Sequence, residues 1–230
     1  MELLPGGITL DIPKGAFPLS TDSMALAHFV TLRKHASVLD LCSGCGTLGL
    51  LLCSKEPTCT VCGMEIDPFS HNAAVENIRR NGLSARMESI CAPVQSVSER
   101  FSPGSFTCCV ANPPYFSGGP SSLSLPQARK EDSCTMEELL HAAGWAVKFG
   151  GEVFLVHRPE RLASLIVCGS AEKLEAKELV LLRHQEDGPI GLILLRFRKG
   201  GKPGLKLSEW VLHTRDGAQT PLYKEIYHKE

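Results

Sequence analysis

Residues 110–116 read Val-Ala-Asn-Pro-Pro-Tyr-Phe, and this segment is the most informative about the fold. The run that leads into it, Phe106–Ala111, is short, apolar and rich in strand formers, and it predicts a buried strand with Asn112 at its carboxyl end. Proline has no N–H for a strand ladder, so the chain must leave the sheet at the two prolines. Open α/β sheets bind ligands at the carboxyl ends of their strands. We therefore expect the Asn112 amide and the Tyr115 ring to project into a ligand crevice.

A second informative stretch is SVLDLCSGCGTLG, residues 37–49, which reads as a strand, a glycine turn and the start of a helix. Such a turn lets a ligand approach the backbone, and the N–H groups at the helix start can face its polar atoms. Gly44, Gly46 and Gly49 also match the dinucleotide fingerprint, so an NAD-dependent oxidoreductase is a rival interpretation. Asp40 favours a cationic ligand instead, because its carboxylate would repel a pyrophosphate.

A further strand, residues 59–65, ends in Glu65, whose two carboxylate oxygens suit the two hydroxyls of a ribose. Asp67 is the alternative ribose ligand, although Asp67 followed by Pro68 is more typical of a helix start. A less marked strand spans residues 85–91. These strands alternate with helical patterns, as expected of an α/β protein.

The first 36 residues precede the first clear βα unit and are predicted to form a cap segment beside a domain of residues 37–230. Residues 23–32 have a helical pattern, and Thr21 or Asp22 is predicted to be its N-cap.

The second half of the chain predicts an amphipathic helix over residues 136–149 that ends at Gly150-Gly151. The elements predicted after it are a strand at 152–157, a helix at 158–167 and strands at 177–183 and 189–198. Too few residues separate the last two strands for a helical crossover, so they must form an antiparallel hairpin.

The composition is that of an ordinary globular protein, with 230 residues, 43% hydrophobic and 21% charged. The formal charge of -1 argues against a nonspecific nucleic-acid coat protein, although a local basic surface stays possible. The candidates for it are Arg129, Lys130, Arg196, Arg198 and Lys199, the last three of which can also be read as the solvated end of a strand. With no signal-peptide pattern and no membrane-spanning apolar run, we expect a cytoplasmic protein.

Ten cysteines fit a reducing compartment. Cys42 with Cys45 and Cys59 with Cys62 have the spacing of a four-cysteine zinc site. We expect no metal there, because the first pair lies in the glycine turn and the second on a strand whose alternate residues face opposite sides.

These motifs together resemble the class I S-adenosylmethionine (SAM) methyltransferases of the Asn-Pro-Pro-Tyr type, and among them the bacterial tRNA (valine) adenine-N6 methyltransferase family. The segments that carry the resemblance are residues 17–22 (Phe-Pro-Leu-Ser-Thr-Asp), 40–46, Glu65, 112–115 and Ala128-Arg129. The resemblance implies a Rossmann-like class I methyltransferase fold. In that fold a mostly parallel seven-stranded sheet ends in an antiparallel hairpin, and a small N-terminal extension precedes it.

The resemblance also implies SAM as the cofactor and a set of residues that bind it. Those residues are Thr21, Asp22, Asp40, Cys42, Gly44, Gly46, Glu65, Ile66, Pro93, Val94 and Asn112. The chain departs from the family's commonest pattern at Cys42, where a glycine usually stands, and at Pro93, where an acidic residue commonly contacts the adenine amine.

The catalytic residues implied by the resemblance are Asn112, Pro113, Pro114 and Tyr115. The Asn112 Oδ1 atom and the Pro113 carbonyl would accept the two N–H groups of an exocyclic amine, and Tyr115 would stack on a flipped base. The expected substrate is adenine N6 in an RNA partner, most simply tRNA. Protein glutamine and the N2 amine of ribosomal guanine are the alternatives, and the oligomeric state is left open.

Overall fold

The computed structural model describes residues 2–113 and 134–228. Several predicted residues therefore lie outside the described chain, namely Pro114, Tyr115, Ala128, Arg129 and Lys130.

Helices and strands alternate through most of the described chain. The strands are β1 Glu2–Leu3, β2 Thr9–Leu10, β3 Ser37–Leu41, β4 Thr60–Glu65, β5 Met87–Cys91, β6 Phe106–Ala111, β7 Val147–His157, β8 Leu174–Gln185, β9 Ile190–Lys199 and β10 Lys206–His213. The α-helices are α1 Thr21–Phe29, α2 Thr47–Lys55, α3 Pro68–Arg80, α4 Val97–Arg100, α5 Met136–Ala146, α6 Leu162–Ala171 and α7 Pro221–Tyr227. Within these ranges no helix is both long and apolar enough to span a membrane.

The central sheet has the strand order β10-β8-β9-β7-β6-β3-β4-β5 in the residues described. Neighbouring strands are parallel except for β9, which runs antiparallel to both β7 and β8. The predicted Rossmann-like arrangement with an antiparallel hairpin is confirmed, and its seven strands are β3 to β9. The additional eighth strand, β10, pairs in parallel with β8. It was not predicted, because an edge strand of mixed polar and apolar residues carries a weak local pattern.

The two faces of the sheet are covered by different helices, as a parallel sheet requires. Apolar residues of α1, α2, α3 and α7 pack on one face with Val38 and Val110 of the strands. Residues of α4, α5 and α6 pack on the other face with Leu39, Leu41 and Ala111. Because successive strand residues face opposite sides, Asp40 shares the face of Val38, towards α1 and α2.

Several predicted boundaries differ from the observed ones. The helix predicted at 158–167 is α6, Leu162–Ala171, because Pro159–Arg161 form a separate 3-10 turn before it, and helix α1 ends at Phe29 rather than at residue 32.

Two further predictions are wrong for identifiable reasons. Helix α5 ends at Ala146, not at residue 149, because Val147 is already extended and begins β7, which contains both Gly150 and Gly151. The Lys199 ammonium donates to the carbonyls of Gly144 and Val147 where the helix ends. A cation from a distant strand therefore caps the helix, which local pattern cannot reveal.

The N-cap of α1 is Ser20, so the prediction of Thr21 or Asp22 for that position is wrong. Ser20 has an extended backbone, and its carbonyl accepts the N–H of Met24 as the first helical hydrogen bond. Thr21 and Asp22 therefore lie in the first turn, where the Asp22 carboxylate interacts favourably with the helix dipole.

Candidate active site

The carboxyl ends of three neighbouring strands bring the predicted site residues to one edge of the sheet. Leu41 of β3 pairs with Met64 of β4 on one side and with Ala111 of β6 on the other. The next residue along each strand is therefore at the same level, and these residues are Cys42, Glu65 and Asn112. Asp40 lies two residues below that level on β3 and is buried.

The glycine turn after β3 has an unusual backbone. Gly44 and Gly46 have φ angles of 54° and 82°, in the left-handed region that favours glycine. Cys42 has a φ of 59° in the same region, which costs a residue with a side chain about 1 to 2 kcal/mol. This backbone explains physically why a glycine is common at that position in the family that the sequence resembles.

Glu65 holds the glycine turn through its carboxylate. Its Oε2 accepts the Gly44 N–H at 2.9 Å, and its Oε1 accepts the Asp67 N–H at 2.8 Å. The side chain is buried, yet each carboxylate oxygen has a further lone pair for another donor. Asp67 is the N-cap of α3, since its side chain accepts the Ser70 N–H, so the helix-start interpretation of Asp67 is confirmed.

Asp40 is a buried carboxylate that lacks a full set of partners. It is 1% exposed, and within the described ranges its Oδ2 atom has no hydrogen-bond partner. Burial raises the pKa of this carboxyl from its ordinary 3.8 to about 8; a backbone hydrogen bond from Gly49 opposes the rise, and the charge of Glu65 adds to it. Such a group is stabilised when a cation is placed beside it.

The stability of the ligand-free protein should consequently fall as pH rises. Because the folded-state pKa of Asp40 is raised, the native protein holds a proton that the unfolded chain releases, and that stability is lost as pH rises through about 8. The Asp40→Asn variant lacks this ionisable carboxyl. Its free energy of unfolding should therefore change less between about pH 5 and pH 8 than that of the parent, by up to about 1.4 kcal/mol per pH unit. Urea unfolding of both proteins across this range measures the difference. If the free energy of unfolding depends on pH equally in both proteins, the raised pKa of Asp40 is contradicted.

Asn112 is half-buried at the end of β6, and its amide is oriented by a helix far away in sequence. Its Nδ2 donates to the Ser23 hydroxyl oxygen at 3.0 Å, whereas no described residue donates to its Oδ1. Pro113 follows and is buried. The Asn112 side chain thus presents an acceptor that is not used within the described chain.

Ser23 belongs to helix α1, which is attached to the C-terminal helix as well. The Tyr227 hydroxyl donates to Thr21 Oγ1 at 3.0 Å. Neither Ser23 nor Tyr227 could be recognised as a site residue from the amino-acid pattern. The one sequence signal for Ser23 is its place within one helical turn of Thr21 and Asp22, two predicted cofactor residues. No pattern in the neighbouring sequence distinguishes Tyr227.

Asn77 is a second buried residue that the sequence did not reveal. It exchanges two hydrogen bonds with the Asp11 backbone, each 2.9 Å long, and its Nδ2 also donates to the Cys45 carbonyl at 3.0 Å. One amide therefore joins the N-terminal segment, helix α3 and the glycine turn.

The remaining predicted residues lie on both sides of these strand ends. Ile66 is 43% exposed at the rim, directly after Glu65. Glu65 pairs with Cys91 at the end of β5, so Pro93 and Val94 follow close by. Pro93 is exposed, whereas Val94 is buried in the cluster that α5 covers. In residues 2–113 and 134–228, no three His, Cys, Asp or Glu side chains are grouped to hold a metal ion.

Comparison with known proteins identifies the family. The model of the family described as methyltransferase small domain matches residues 19–170. The tRNA1(Val) (adenine(37)-N6)-methyltransferase of Shewanella halifaxensis is 28% identical over 158 residues, which are 68% of this chain and 64% of that protein. The enzyme of the same name from Bacteroides fragilis is 26% identical over 224 residues, covering 94% of this chain and 93% of that protein.

A solved structure supports the fold. A predicted O-methyltransferase from Agrobacterium tumefaciens superposes with a TM-score of 0.76 at 20% identity, over 91% of this chain and 96% of that chain. The family match removes the basis of the NAD-dependent alternative, since the glycine fingerprint was its only support.

The described residues fit SAM, which carries an ammonium, a sulfonium and a ribose. The Asp40 carboxylate would pair with positive charge, and the remaining lone pairs of Glu65 would accept from the ribose hydroxyls. A side-chain Cβ at Gly44 would meet no atom of residues 2–113 or 134–228 within 4 Å, so these residues leave that side of the turn open to a ligand. By the match of the family model over residues 19–170, the chain belongs to the methyltransferase small domain family, and it is a SAM-dependent methyltransferase.

Proposed function

We propose that this enzyme methylates the exocyclic amine of a nucleic-acid base, with N6 of adenine in tRNA as its substrate. The observation that supports this most is the orientation of Asn112, whose Nδ2 is bound by Ser23 so that Oδ1 remains as an acceptor. An amine with two N–H groups needs such an acceptor. The two relatives described above carry names that specify adenine N6 of a tRNA, which supports the choice of base.

The chemistry follows from the weakness of the nucleophile. The lone pair of an exocyclic amine is delocalised into the base, so the nitrogen must become pyramidal before it can attack. Bound SAM supplies an electrophilic methyl group on its sulfonium. Asn112 Oδ1 and the Pro113 carbonyl would accept the two N–H groups and stabilise the positive charge that develops on the nitrogen. Correct positioning of the two reactants supplies much of the remaining rate enhancement.

The same acceptors would also suit the amide of a protein glutamine or the N2 amine of guanine. The experiment that decides is incubation of the enzyme with labelled SAM and separate pools of tRNA, ribosomal RNA and ribosomal proteins. We expect label in tRNA that digests to N6-methyladenosine. Label confined to protein, or to guanosine, would overturn the proposed substrate in favour of one of these alternatives.

Two of the three basic residues of β9 are engaged in contacts within the protein, so they support an RNA-binding role poorly. Arg196 bonds to Glu152 at 2.6 Å and to Glu178 at 3.2 Å, and the Lys199 ammonium is bound by helix carbonyls. Because β9 is antiparallel, Lys199 lies towards the opposite edge of the sheet from Asn112. These contacts favour a structural role for Arg196 and Lys199, and of the three only Arg198 is exposed without an ion pair in the described chain.

RNA binding should nevertheless be sensitive to salt, since phosphate contacts release counterions. We expect the Kd for tRNA to rise several-fold or more between about 50 mM and about 200 mM salt, with a logarithmic slope close to the number of phosphates contacted. Filter binding or fluorescence titration of tRNA measures the slope, and SAM affinity over the same range is the control. A Kd for tRNA that does not change with salt would exclude phosphate contacts.

A further inference from the structure

We propose that Ser23 is a positioning residue for methyl transfer, which holds the Asn112 amide with its oxygen towards the substrate. The inference rests on the proposed function of Asn112. Ser23 lies in the first turn of α1 and is 7% exposed, and its hydroxyl oxygen accepts the Asn112 Nδ2 hydrogen at 3.0 Å. The two residues are 89 positions apart in sequence, so this contact is made only by the folded chain.

The orientation matters because the two ends of a primary amide are similar in size and opposite in hydrogen-bonding character. The Oδ1 end accepts the N–H of a substrate amine. The NH2 end is itself a donor and could not accept that hydrogen bond. With its NH2 group bound to Ser23, the Asn112 amide keeps Oδ1 as its outward atom. A side chain without an oxygen at position 23 would leave the amide free to rotate.

Helix α1 is anchored at both ends, so Ser23 is a rigid support. At its start, Thr21 accepts the hydrogen bond from Tyr227. At its end, the Lys55 ammonium donates to the carbonyls of Ala27, His28 and Val30 at 3.0, 2.8 and 2.7 Å. The Ser23 hydroxyl and the end of strand β6 are thus held by separate parts of the core, which preorganises the Asn112 acceptor before substrate binds.

The loss of one neutral hydrogen bond that orients an acceptor should lower kcat about tenfold. The KM values should change little, because the substrate still binds through its other contacts. If Ser23 had only a structural role, its replacement would lower the stability of the protein without lowering kcat selectively at an unchanged KM.

The test compares two nearly isosteric variants, Ser23→Thr and Ser23→Val, which differ in the hydroxyl. Thr107→Val is the control, because Thr107 lies at the far end of the same strand and its hydroxyl exchanges hydrogen bonds with the Ser37 backbone. We expect Ser23→Thr to keep most of the parental kcat, Ser23→Val to lose about tenfold, and Thr107→Val to lose stability in urea but not kcat.

The inference is overturned if Ser23→Val turns over at the parental rate, or if Ser23→Thr is as slow as Ser23→Val while both remain folded. The Asn112→Ala variant, assayed beside them, separates this failure from that of the proposed function. A slow Asn112→Ala with a parental Ser23→Val refutes only the role of Ser23. Parental turnover by Asn112→Ala refutes the amine-acceptor function itself.

Discussion

The Asn112→Ala enzyme should methylate its substrate with kcat lowered about a hundredfold or more, whereas KM for both substrates stays close to the parental values. The Oδ1 atom matters most when the amine becomes pyramidal and positively charged, so its interaction is stronger in the transition state than in the ground state. Ser23 already orients the amide before substrate arrives, which makes the acceptor preorganised. Removal of one preorganised partner in other enzymes has an effect of this size.

Steady-state methylation of tRNA by the parent and the variant measures this effect, with SAM affinity determined separately by calorimetry. Asn72→Ala is a matched control, since Asn72 is exposed on helix α3. The control should turn over as the parent does. If Asn112→Ala does so as well, Asn112 has no catalytic function and the proposed amine acceptor is wrong.

The central strands could be predicted from the sequence because each of them is buried on both faces. Residues 106–111 were predicted as a strand, and β6 spans Phe106–Ala111. The same holds closely for β3 and β4, whose apolar runs end in the polar or glycine residues of the site. In a parallel sheet these ends must lie together, so the amino-acid pattern alone is enough to expect Asp40, Glu65 and Asn112 at one edge.

The residues that support the site could not be predicted, because their partners are distant in the chain. Asn77 bonds to Asp11, 66 positions away, and Tyr227 bonds to Thr21, 206 positions away. Periodicity and capping signals report only on neighbours within about four residues. For the same reason, nothing in the sequence distinguished a functional Ser23 from an ordinary helical serine.

The basic residues of β9 allowed two interpretations from the sequence for a related reason. Arg196, Arg198 and Lys199 form a basic cluster in one dimension, which is typical of a nucleic-acid contact. In the folded protein Arg196 is bound between Glu152 and Glu178, and Lys199 caps α5. Successive residues of a strand face opposite sides of the sheet, so Lys199 is on the face opposite Arg196 and Arg198, and of the three only Arg198 is exposed.

The second large effect should appear in SAM binding, which we expect to weaken tenfold or more in both Asp40→Asn and Glu65→Gln. The loss of a hydrogen bond that involves a charged group costs about 1.5 to 3 kcal/mol, which corresponds to at least a tenfold change in Kd. Calorimetric titration of SAM measures the affinity. Glu99→Gln, an exposed glutamate on α4, is the control and should bind as the parent does.

The two variants should differ in how their SAM binding depends on pH, which tests the individual roles of the carboxylates. The pKa of Asp40 is about 8 in the ligand-free protein, so pairing with a cation requires the carboxyl to release its proton. Parental SAM affinity should therefore rise by up to about tenfold per unit as pH increases from about 6 to about 8, and binding at neutral pH should release a proton into the buffer. Glu65→Gln keeps Asp40 and should retain this slope at lower affinity, whereas Asp40→Asn should lose the slope. If Asp40→Asn binds SAM with parental affinity and parental pH dependence, the cation that Asp40 pairs with is not on SAM.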